Sequence, residues 1–238
     1  MPRLHSHYDD HENIDKEVAA GRHRELIGGL WEEIGALQLN FLQANGLTSQ
    51  SKLLDIGCGS LRLGVRAVAY LEAGTYWGTE INESLMIAGY EKEILPSGLA
   101  DKLPRGNLVL DTEFTFAGVP RNFDFVIAQS VFTHLPLNHL RLCLANLAEH
   151  IEGPCKFFVT LFVIPEEKLS KPYKHHPGGI TTYPHRDPYH YARSDLHHVI
   201  SGLPWTVEYI GDWNHPRNQM MVRFTKEAHP IASSASLA

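Results

Sequence analysis

A glycine-rich stretch, Leu53 to Gly64, constrains the fold of this chain more than any other segment. It reads LLDIGCGSLRLG, in which an apolar run ending at Ile56 precedes two close glycines and an apolar segment at helical spacing. This order predicts a strand, a tight turn and a helix. Gly57 and Gly59 allow positive φ angles and close approach of a ligand, and the first turn of a helix offers N–H groups without helical partners. We therefore expect an adenosine-containing cofactor at this turn.

Two residues of the stretch argue against a dinucleotide as that cofactor. The dinucleotide-binding fingerprint has a third glycine three residues after the second, and Arg62 occupies this position. Asp55, two residues before Gly57, would repel a pyrophosphate held at the turn. Because a carboxylate suits a cationic ligand, a nicotinamide-dependent dehydrogenase is the disfavoured alternative.

The D-x-G-x-G turn after an apolar strand resembles motif I of the class I S-adenosylmethionine-dependent methyltransferases, small-molecule type. The resemblance extends from about Lys52 to Arg223. It implies an α/β fold: a three-layer, Rossmann-like, seven-stranded and mostly parallel sheet with an antiparallel last strand, here with an N-terminal helical extension. It also implies S-adenosyl-L-methionine as the cofactor.

Composition limits the partners of the chain. Its 238 residues fit one α/β domain with extensions, and a formal charge of −6 disfavours a nucleic-acid partner. Cys58, Cys143 and Cys155 lack paired spacing and are interpreted as reduced thiols. The apolar run near Phe157 to Ile164 is too short to span a bilayer, and no apolar signal core is visible. We expect a soluble cytoplasmic protein with a small-molecule or peptide acceptor, no membrane partner, and a homodimer as an open possibility.

The chain divides into an N-terminal helical extension or cap (1–50), a methyltransferase domain (51–227) with an irregular insertion at 165–192, and a disordered tail (228–238). The first dozen residues are polar, which predicts disorder unless a ligand or the domain holds them. From His23 to Asn45 the apolar spacing predicts one amphipathic helix. It covers the cofactor, as such helices do in many methyltransferases of the resembled type, or only extends the core.

Glycines inside that helix make it irregular. Gly28, Gly29 and Gly35 each weaken a helix by about 1 kcal/mol relative to alanine, so we expect a kink or close packing there.

An acid follows the second predicted strand, Tyr76 to Ile81. In an open parallel sheet, ligands bind beyond the carboxyl ends of the strands, where Glu80 resembles the family's ribose-binding acid. Asp111 and Thr112 match the acidic position beside the adenine. A helix-capping Glu80 and a loop-forming Asp111 are the alternatives. The expected cofactor-binding residues are Asp55, Gly57, Cys58, Gly59, Ser60, Glu80, Ile81, Asp111, Thr112 and Gln129.

A histidine follows the fourth predicted strand, Phe123 to Gln129. The segment resembles motif IV of the small-molecule methyltransferases, which often place a histidine near the transferred methyl group. A hydroxyl acceptor needs a base, and the ordinary pKa of histidine is close to cellular pH. His134, His190 and His215 are the candidates, in that order, and a His134 bonded only to backbone is the alternative.

The segment after the fifth strand has no period and is rich in proline, glycine, tyrosine and histidine. We interpret it as an acceptor lid, with a surface excursion or a dimer contact as alternatives. The expected substrate contacts are Tyr189, Tyr191, Trp213 and Trp31. No ligand pair has metal-site spacing, so no metal is expected.

These features together predict methyl transfer to a small molecule, at oxygen, with a histidine base. The alternatives are an N- or peptide-carboxylate methyltransferase and a non-catalytic protein that binds S-adenosylmethionine.

Overall fold

The structure is a computed structural model and describes residues 6–227 of the chain. The tail predicted to be disordered, 228–238, lies outside these residues. Within the described part, no helix is both long enough and apolar enough to cross a membrane.

Seven strands of the described chain form one sheet in the order β3-β2-β1-β4-β5-β9-β8. The first five run parallel, whereas β9 runs antiparallel to both β5 and β8. The predicted fold class is therefore confirmed, including a last strand inserted between its two neighbours. The strands are β1 (Leu53–Ile56), β2 (Tyr76–Glu80), β3 (Leu108–Leu110), β4 (Phe125–Ala128), β5 (Cys155–Leu161), β8 (Thr206–Gly211) and β9 (Met220–Lys226).

Helices cover both faces of the sheet. Alternate residues of β1 point to opposite faces, so that Leu54 and Ile56 join one apolar cluster and Leu53 joins the other. Helices α6 and α7 close the first cluster, and α3, α4 and α5 close the second. The helices are α1 (His11–Ala19), α2 (His23–Leu26), α3 (Trp31–Ala44), α4 (Gly64–Tyr70), α5 (Glu83–Gly89), α6 (Leu137–His150) and α7 (Asp195–Ile200).

The single helix predicted over His23 to Asn45 is wrong. The chain forms α2 and α3 instead, because Gly28, Gly29 and Leu30 between them adopt φ angles of 91°, 61° and 48°. Gly35 stays helical and is needed for close packing, since a Cβ there would lie 2.6 Å from Arg66 Nη1.

Residues 6–10, directly before α1, are held by the domain, and order was expected in the first dozen residues only if a ligand or the domain held them. Residues 1–5 of that stretch lie outside the described residues. The Ser6 hydroxyl donates to Asp187 at 3.2 Å, and Asn82 Nδ2 donates to the carbonyl of Tyr8 at 3.3 Å. Helix α1 also contacts α5. The N-terminal segment therefore reaches both the second strand's loop and the insertion.

The insertion at 165–192 contains more regular structure than its composition predicts. Two-residue strands β6 (Tyr173–Lys174) and β7 (Thr181–Thr182) pair as an antiparallel hairpin. Single bridges then join Tyr191 to Val163 beyond β5, and Tyr189 to Tyr183.

Candidate active site

A cleft opens at the carboxyl ends of β1, β2 and β4 and holds about 950 Å³ of empty space, part of it open to solvent. Its size is in the range of small-molecule sites. Its lining includes most of the predicted cofactor-binding residues, namely Asp55, Gly57, Cys58, Gly59, Glu80, Ile81, Asp111 and Gln129.

The glycine turn is shaped by backbone geometry that other residues tolerate poorly. Gly57 and Gly59 have φ angles of 68° and 55°. A Cβ at Gly57 would lie 2.4 Å from Val131 Cγ2, and one at Gly59 would lie 2.8 Å from Ile27 Cγ2. The turn is therefore fixed against the loop after β4 on one side and the N-terminal extension on the other.

Glu80 ends β2 and links it to the glycine turn. Its carboxylate accepts the N–H groups of Gly59, Ile81 and Asn82 at 2.8, 2.9 and 3.2 Å. Burial raises the pKa of Glu80, and these backbone donors oppose that rise. Oε1 accepts from both Ile81 and Asn82, whereas Oε2 accepts only from Gly59. The group is therefore oriented, and Oε2 keeps a lone pair that can accept a hydrogen bond from a ligand.

Asp55 lies at the floor of the cleft. Its side chain accepts a hydrogen bond from the Tyr76 hydroxyl at 2.8 Å. Burial raises the pKa of Asp55 to about 7, against the lowering effects of Tyr76 and Arg62. A cationic ligand would stabilise its ionised form.

Arg62 stands where a dinucleotide fingerprint has glycine, and it lines the cleft. Its guanidinium donates to the carbonyls of Ile27 and Gly29 and to Gln129 Oε1. Burial lowers the pKa of Arg62 to about 10.

Two predicted cofactor residues lie elsewhere. The Ser60 hydroxyl is buried and donates to the carbonyl of His23 at 3.1 Å, so it ties the turn to α2. Thr112 is exposed and outside the cleft. Asp111 does reach the cleft, but its carboxylate also accepts the N–H groups of Thr115 and Phe116 and so shapes its own loop.

His134 lies at the cleft rim, where its own loop meets two other parts of the chain. Its Nδ1 lies 2.6 Å from Asp187 Oδ1, and the Tyr8 ring packs edge-on against the imidazole with centroids 5.2 Å apart. Leu135 beside it also lines the cleft. The loop after β4, the insertion and the N-terminal segment therefore meet at this histidine.

His190 and His215 are placed less favourably for catalysis. His190 is outside the cleft, and its ring nitrogens bond to Thr182 Oγ1 at 2.8 Å and to the carbonyl of Leu169 at 3.1 Å. His215 is buried below Gln129, and burial lowers its pKa to about 3. A histidine with so low a pKa is a weak base.

The four predicted substrate residues are buried in packing roles and lie outside the cleft. Tyr189 and Tyr191 stack 6.4 Å apart within the apolar cluster beneath α6, since alternation along an extended segment puts both on one face. Trp213 packs against Phe41, and Trp31 lies under the Arg24 guanidinium. The expectation that these aromatic side chains contact the acceptor is therefore not supported by their positions.

No group of metal-ligating side chains with the geometry to hold an ion is found among residues 6–227. The three cysteines are buried and free, and none contributes to such a group.

Several residues that line the cleft or contact its lining were not identified from the sequence. Gln38 carried a signal: it lies four residues from Ile34 and four from Leu42, on the buried stripe of α3. A polar residue on an apolar stripe needs a partner. Asp187 and Tyr8 carried none, because only the folded chain brings them to His134.

Comparison with solved structures identifies the architecture. Magnesium protoporphyrin IX methyltransferase from Synechocystis PCC 6803 with bound SAH has 14% identity and a TM-score of 0.62, covering 92% of this chain and 100% of that one. The fold is that of the class I S-adenosylmethionine-dependent methyltransferases. The CcbJ methyltransferase from Streptomyces caelestis has 17% identity and a TM-score of 0.56, covering 82% and 90%. The glycopeptide N-methyltransferase MtfA complexed with sinefungin has 19% identity and a TM-score of 0.54, covering 81% and 93%.

A scan against models of known protein families finds none that matches this chain.

Proposed function

We propose that this protein transfers a methyl group from S-adenosyl-L-methionine to a hydroxyl of a small molecule, with His134 as the base. The observation that carries the proposal is a single cleft that joins the glycine turn, two buried carboxylates and His134. The similar folds crystallised with SAH and sinefungin support the choice of cofactor.

The residues of the cleft fit this cofactor by charge and by hydrogen-bonding type. Glu80, oriented by three backbone N–H groups, accepts hydrogen bonds from the ribose hydroxyls. Asp111, at the end of β3, lies on the side of the adenine. Asp55 favours a ligand with positive charge near the glycine turn and disfavours a pyrophosphate.

The cofactor supplies an activated methyl group on a sulfonium, and the protein aligns the acceptor and excludes water. The acceptor oxygen forms a bond to the methyl carbon while the S–C bond breaks and its electron pair stays on sulfur. The hydroxyl proton passes to His134 Nε2, and Asp187 holds the imidazole through Nδ1. No metal is required for these steps.

The N-terminal extension and the insertion serve as the walls around the acceptor. Ser6 and Tyr8 reach over the cleft from one side, and Asp187 reaches the same rim from the insertion. Both segments lie at the carboxyl ends of the strands, where closing them excludes water.

The test is an assay with methyl-labelled S-adenosylmethionine and a panel of phenols, sugars, hydroxy acids and amines, monitored by release of S-adenosylhomocysteine. We expect methylation of a hydroxylated acceptor that is lost in His134→Ala. Methylation of amines alone would overturn the oxygen assignment. Cofactor binding without turnover of any acceptor would favour a non-catalytic binding protein.

A further inference from the structure

Ser130, directly after β4, has an unusual backbone conformation in the wall of the cleft. Its φ angle is 61°, in the left-handed region that residues other than glycine seldom adopt, and it lines the cleft. Such a conformation persists only where the surrounding structure holds it, and it is frequent near reacting groups. The contacts that hold Ser130 therefore bear on the geometry of the site.

The backbone of Ser130 determines where His134 lies. The Ser130 carbonyl accepts the Thr133 hydroxyl at 2.9 Å, and the Val131 carbonyl accepts the His134 N–H group at 3.0 Å. These two bonds close a compact turn between Ser130 and His134. Val131 in this turn packs against Gly57. A rotation at Ser130 would therefore move His134 relative to the glycine turn.

Two buried side chains from other parts of the sheet hold Ser130. Its N–H group donates to Thr160 Oγ1 on β5 at 2.8 Å, and its hydroxyl donates to Gln219 Oε1 at 2.9 Å. The Thr160 hydroxyl donates to the same Gln219 oxygen at 2.8 Å, and Gln129 Nε2 approaches it at 3.4 Å. Thr160 is 0% exposed and Gln219 is 3% exposed, so water does not replace these bonds. The donors around Ser130 thus converge on one amide oxygen.

The backbone of Gln219 is fixed independently of its side chain. Gln219 directly precedes β9, and its carbonyl accepts the indole N–H group of Trp213 at 2.9 Å. The next residue, Met220, pairs with Leu161 of β5. Loss of the side-chain amide would therefore release Ser130 without detaching the β8–β9 loop from the sheet.

We propose that Gln219 is a positioning residue for methyl transfer: its amide oxygen fixes Ser130 and, through Ser130, the place of His134 relative to the cofactor. The inference rests on the proposed function, in which His134 is the base. Gln219 does not line the cleft, so it acts through the turn that it holds. Because transfer needs aligned groups, displacement of His134 lowers turnover more than it weakens cofactor binding.

The test compares Gln219→Met and Gln219→Glu with the wild-type protein. Methionine has a similar length but no oxygen, whereas glutamate keeps an oxygen that accepts from Ser130 and Thr160. Gln219→Met should lower kcat by about ten- to a hundred-fold and change the dissociation constant of S-adenosylhomocysteine by less than about three-fold. Gln219→Glu should restore most of the lost turnover.

Lys226→Met serves as the control for a general loss of stability. Lys226 ends β9 at the edge of the sheet away from the cleft, where its Nζ donates to the carbonyls of Ala148 and Ile151. Both methionine variants remove buried hydrogen bonds at an end of the same strand, but only Gln219 contacts Ser130. We expect Lys226→Met to melt at a lower temperature and to keep the kcat of the wild-type protein at temperatures where it is folded.

Hydrogen exchange of residues 128–135 tests the same contact without turnover. The N–H groups of Ser130 and His134 donate to Thr160 and Val131, and their protection should fall in Gln219→Met but not in Lys226→Met. Unchanged protection in Gln219→Met, equal losses of kcat in the two methionine variants, or a Gln219→Glu as slow as Gln219→Met would each overturn the inference. If the wild-type protein turned over no acceptor, the proposed function would fail, whereas the exchange pattern would still decide whether Gln219 holds the turn.

Discussion

His134 and Asp187 are joined by a side-chain hydrogen bond of 2.6 Å across a sequence separation of 53 residues. The aspartate comes from the insertion, and the histidine follows β4. A carboxylate on Nδ1 leaves Nε2 to accept a proton and fixes the orientation of the ring. The insertion is thereby connected to the proposed base through this pair of side chains.

This pair should behave as one unit in kinetics. His134→Ala should lower turnover by roughly 10²- to 10⁴-fold, as expected for loss of a general base, with little change in affinity for S-adenosylhomocysteine. Asp187→Asn should lower turnover by about ten-fold or more in the wild-type background, and by much less in the His134→Ala background. Additive losses in the double variant would contradict the positioning role of Asp187.

Asp55 should make cofactor binding depend on pH. Because burial raises its pKa to about 7 in the ligand-free protein, its ionised form becomes dominant only above that pH. If a cationic ligand binds only the ionised form, affinity should rise about ten-fold between pH 6 and 8. Titration of S-adenosylmethionine over this range measures the effect, and Asp55→Asn controls for ionisation of the ligand. If affinity depended on pH equally in both proteins, Asp55 would be excluded as the group whose ionisation controls cofactor binding.

The same carboxyl should lower the stability of the ligand-free protein at higher pH. A carboxyl whose folded pKa is raised binds more protons in the folded than in the unfolded state, so stability decreases between about pH 4 and pH 7. Asp55→Asn keeps an acceptor for Tyr76 and removes the buried charge. We expect it to melt at a higher temperature than the wild-type protein at pH 8 and to bind the cofactor less tightly. A lower melting temperature of the variant at pH 8 would contradict the claim that burying the ionised Asp55 carboxylate lowers the stability of the protein.

The fold could be predicted because its signals are local. The strand, the glycine turn and Glu80 each lie within a few residues of the pattern that indicates them. The glycines predicted a kink or close packing but not a complete break between α2 and α3, because the apolar spacing continues across Gly28 and Gly29; the positive φ angles of these residues end α2. The spacing of apolar residues shows which face of a helix is apolar, but it does not show whether the helix axis is continuous.

The site was harder to predict because its polar contacts connect distant segments. Arg62 was recognised only as a missing glycine, and its bonds to Gly29 and Gln129 cross 33 and 67 residues. Tyr189 and Tyr191 looked suited to a ligand because they are large and amphipathic. Because this segment is extended, the side chains of both tyrosines point into the core, and the side chain of His190 between them points into the insertion.

The glycine at 57 should be intolerant of any side chain for two separable reasons. Gly57→Ala meets Val131 and also strains a φ angle of 68°, whereas Gly74→Ala strains a φ angle of 78° with no atom within 4 Å. Strain alone costs about 1–2 kcal/mol. We expect Gly74→Ala to lose about that much stability and to keep binding. Gly57→Ala should lose more stability and should also lose cofactor binding. Equal stabilities of the two variants in denaturant, with equal cofactor affinities in calorimetry, would contradict a clash between the new Cβ and Val131.

The insertion is held by a buried chain of hydrogen bonds that requires neutral histidines. Asn218 Nδ2 lies 3.2 Å from His175 Nδ1, and Thr182 Oγ1 bridges His175 Nε2 and His190 Nδ1 at 2.9 and 2.8 Å. Since His190 Nε2 faces the Leu169 carbonyl, each ring has one donor and one acceptor, and a further proton would set two donors against each other.

Acid should therefore destabilise the insertion. Burial lowers the pKa of His175 to about 4 from 6.5, so the unfolded chain takes up this proton first and stability falls as pH decreases from about 6.5 to 4. Thr182→Val, which leaves both rings without their shared partner, should lose about 1–3 kcal/mol of stability at pH 7. The neighbouring Thr181→Val serves as the control in melts followed from pH 7.5 to 4.5. A melting temperature independent of pH in this range would contradict burial of His175 in its neutral form.

The central claim, that the cleft binds S-adenosylmethionine, is tested most directly by calorimetric titration of the purified protein with S-adenosylhomocysteine and, separately, with NAD. We expect one S-adenosylhomocysteine per chain, no detectable NAD binding, and a loss of about 2 kcal/mol of binding free energy in Glu80→Gln, because a buried carboxylate then loses charge-assisted bonds to a ligand. Binding of NAD in preference to S-adenosylhomocysteine, or an affinity unchanged by Glu80→Gln, would contradict the assignment.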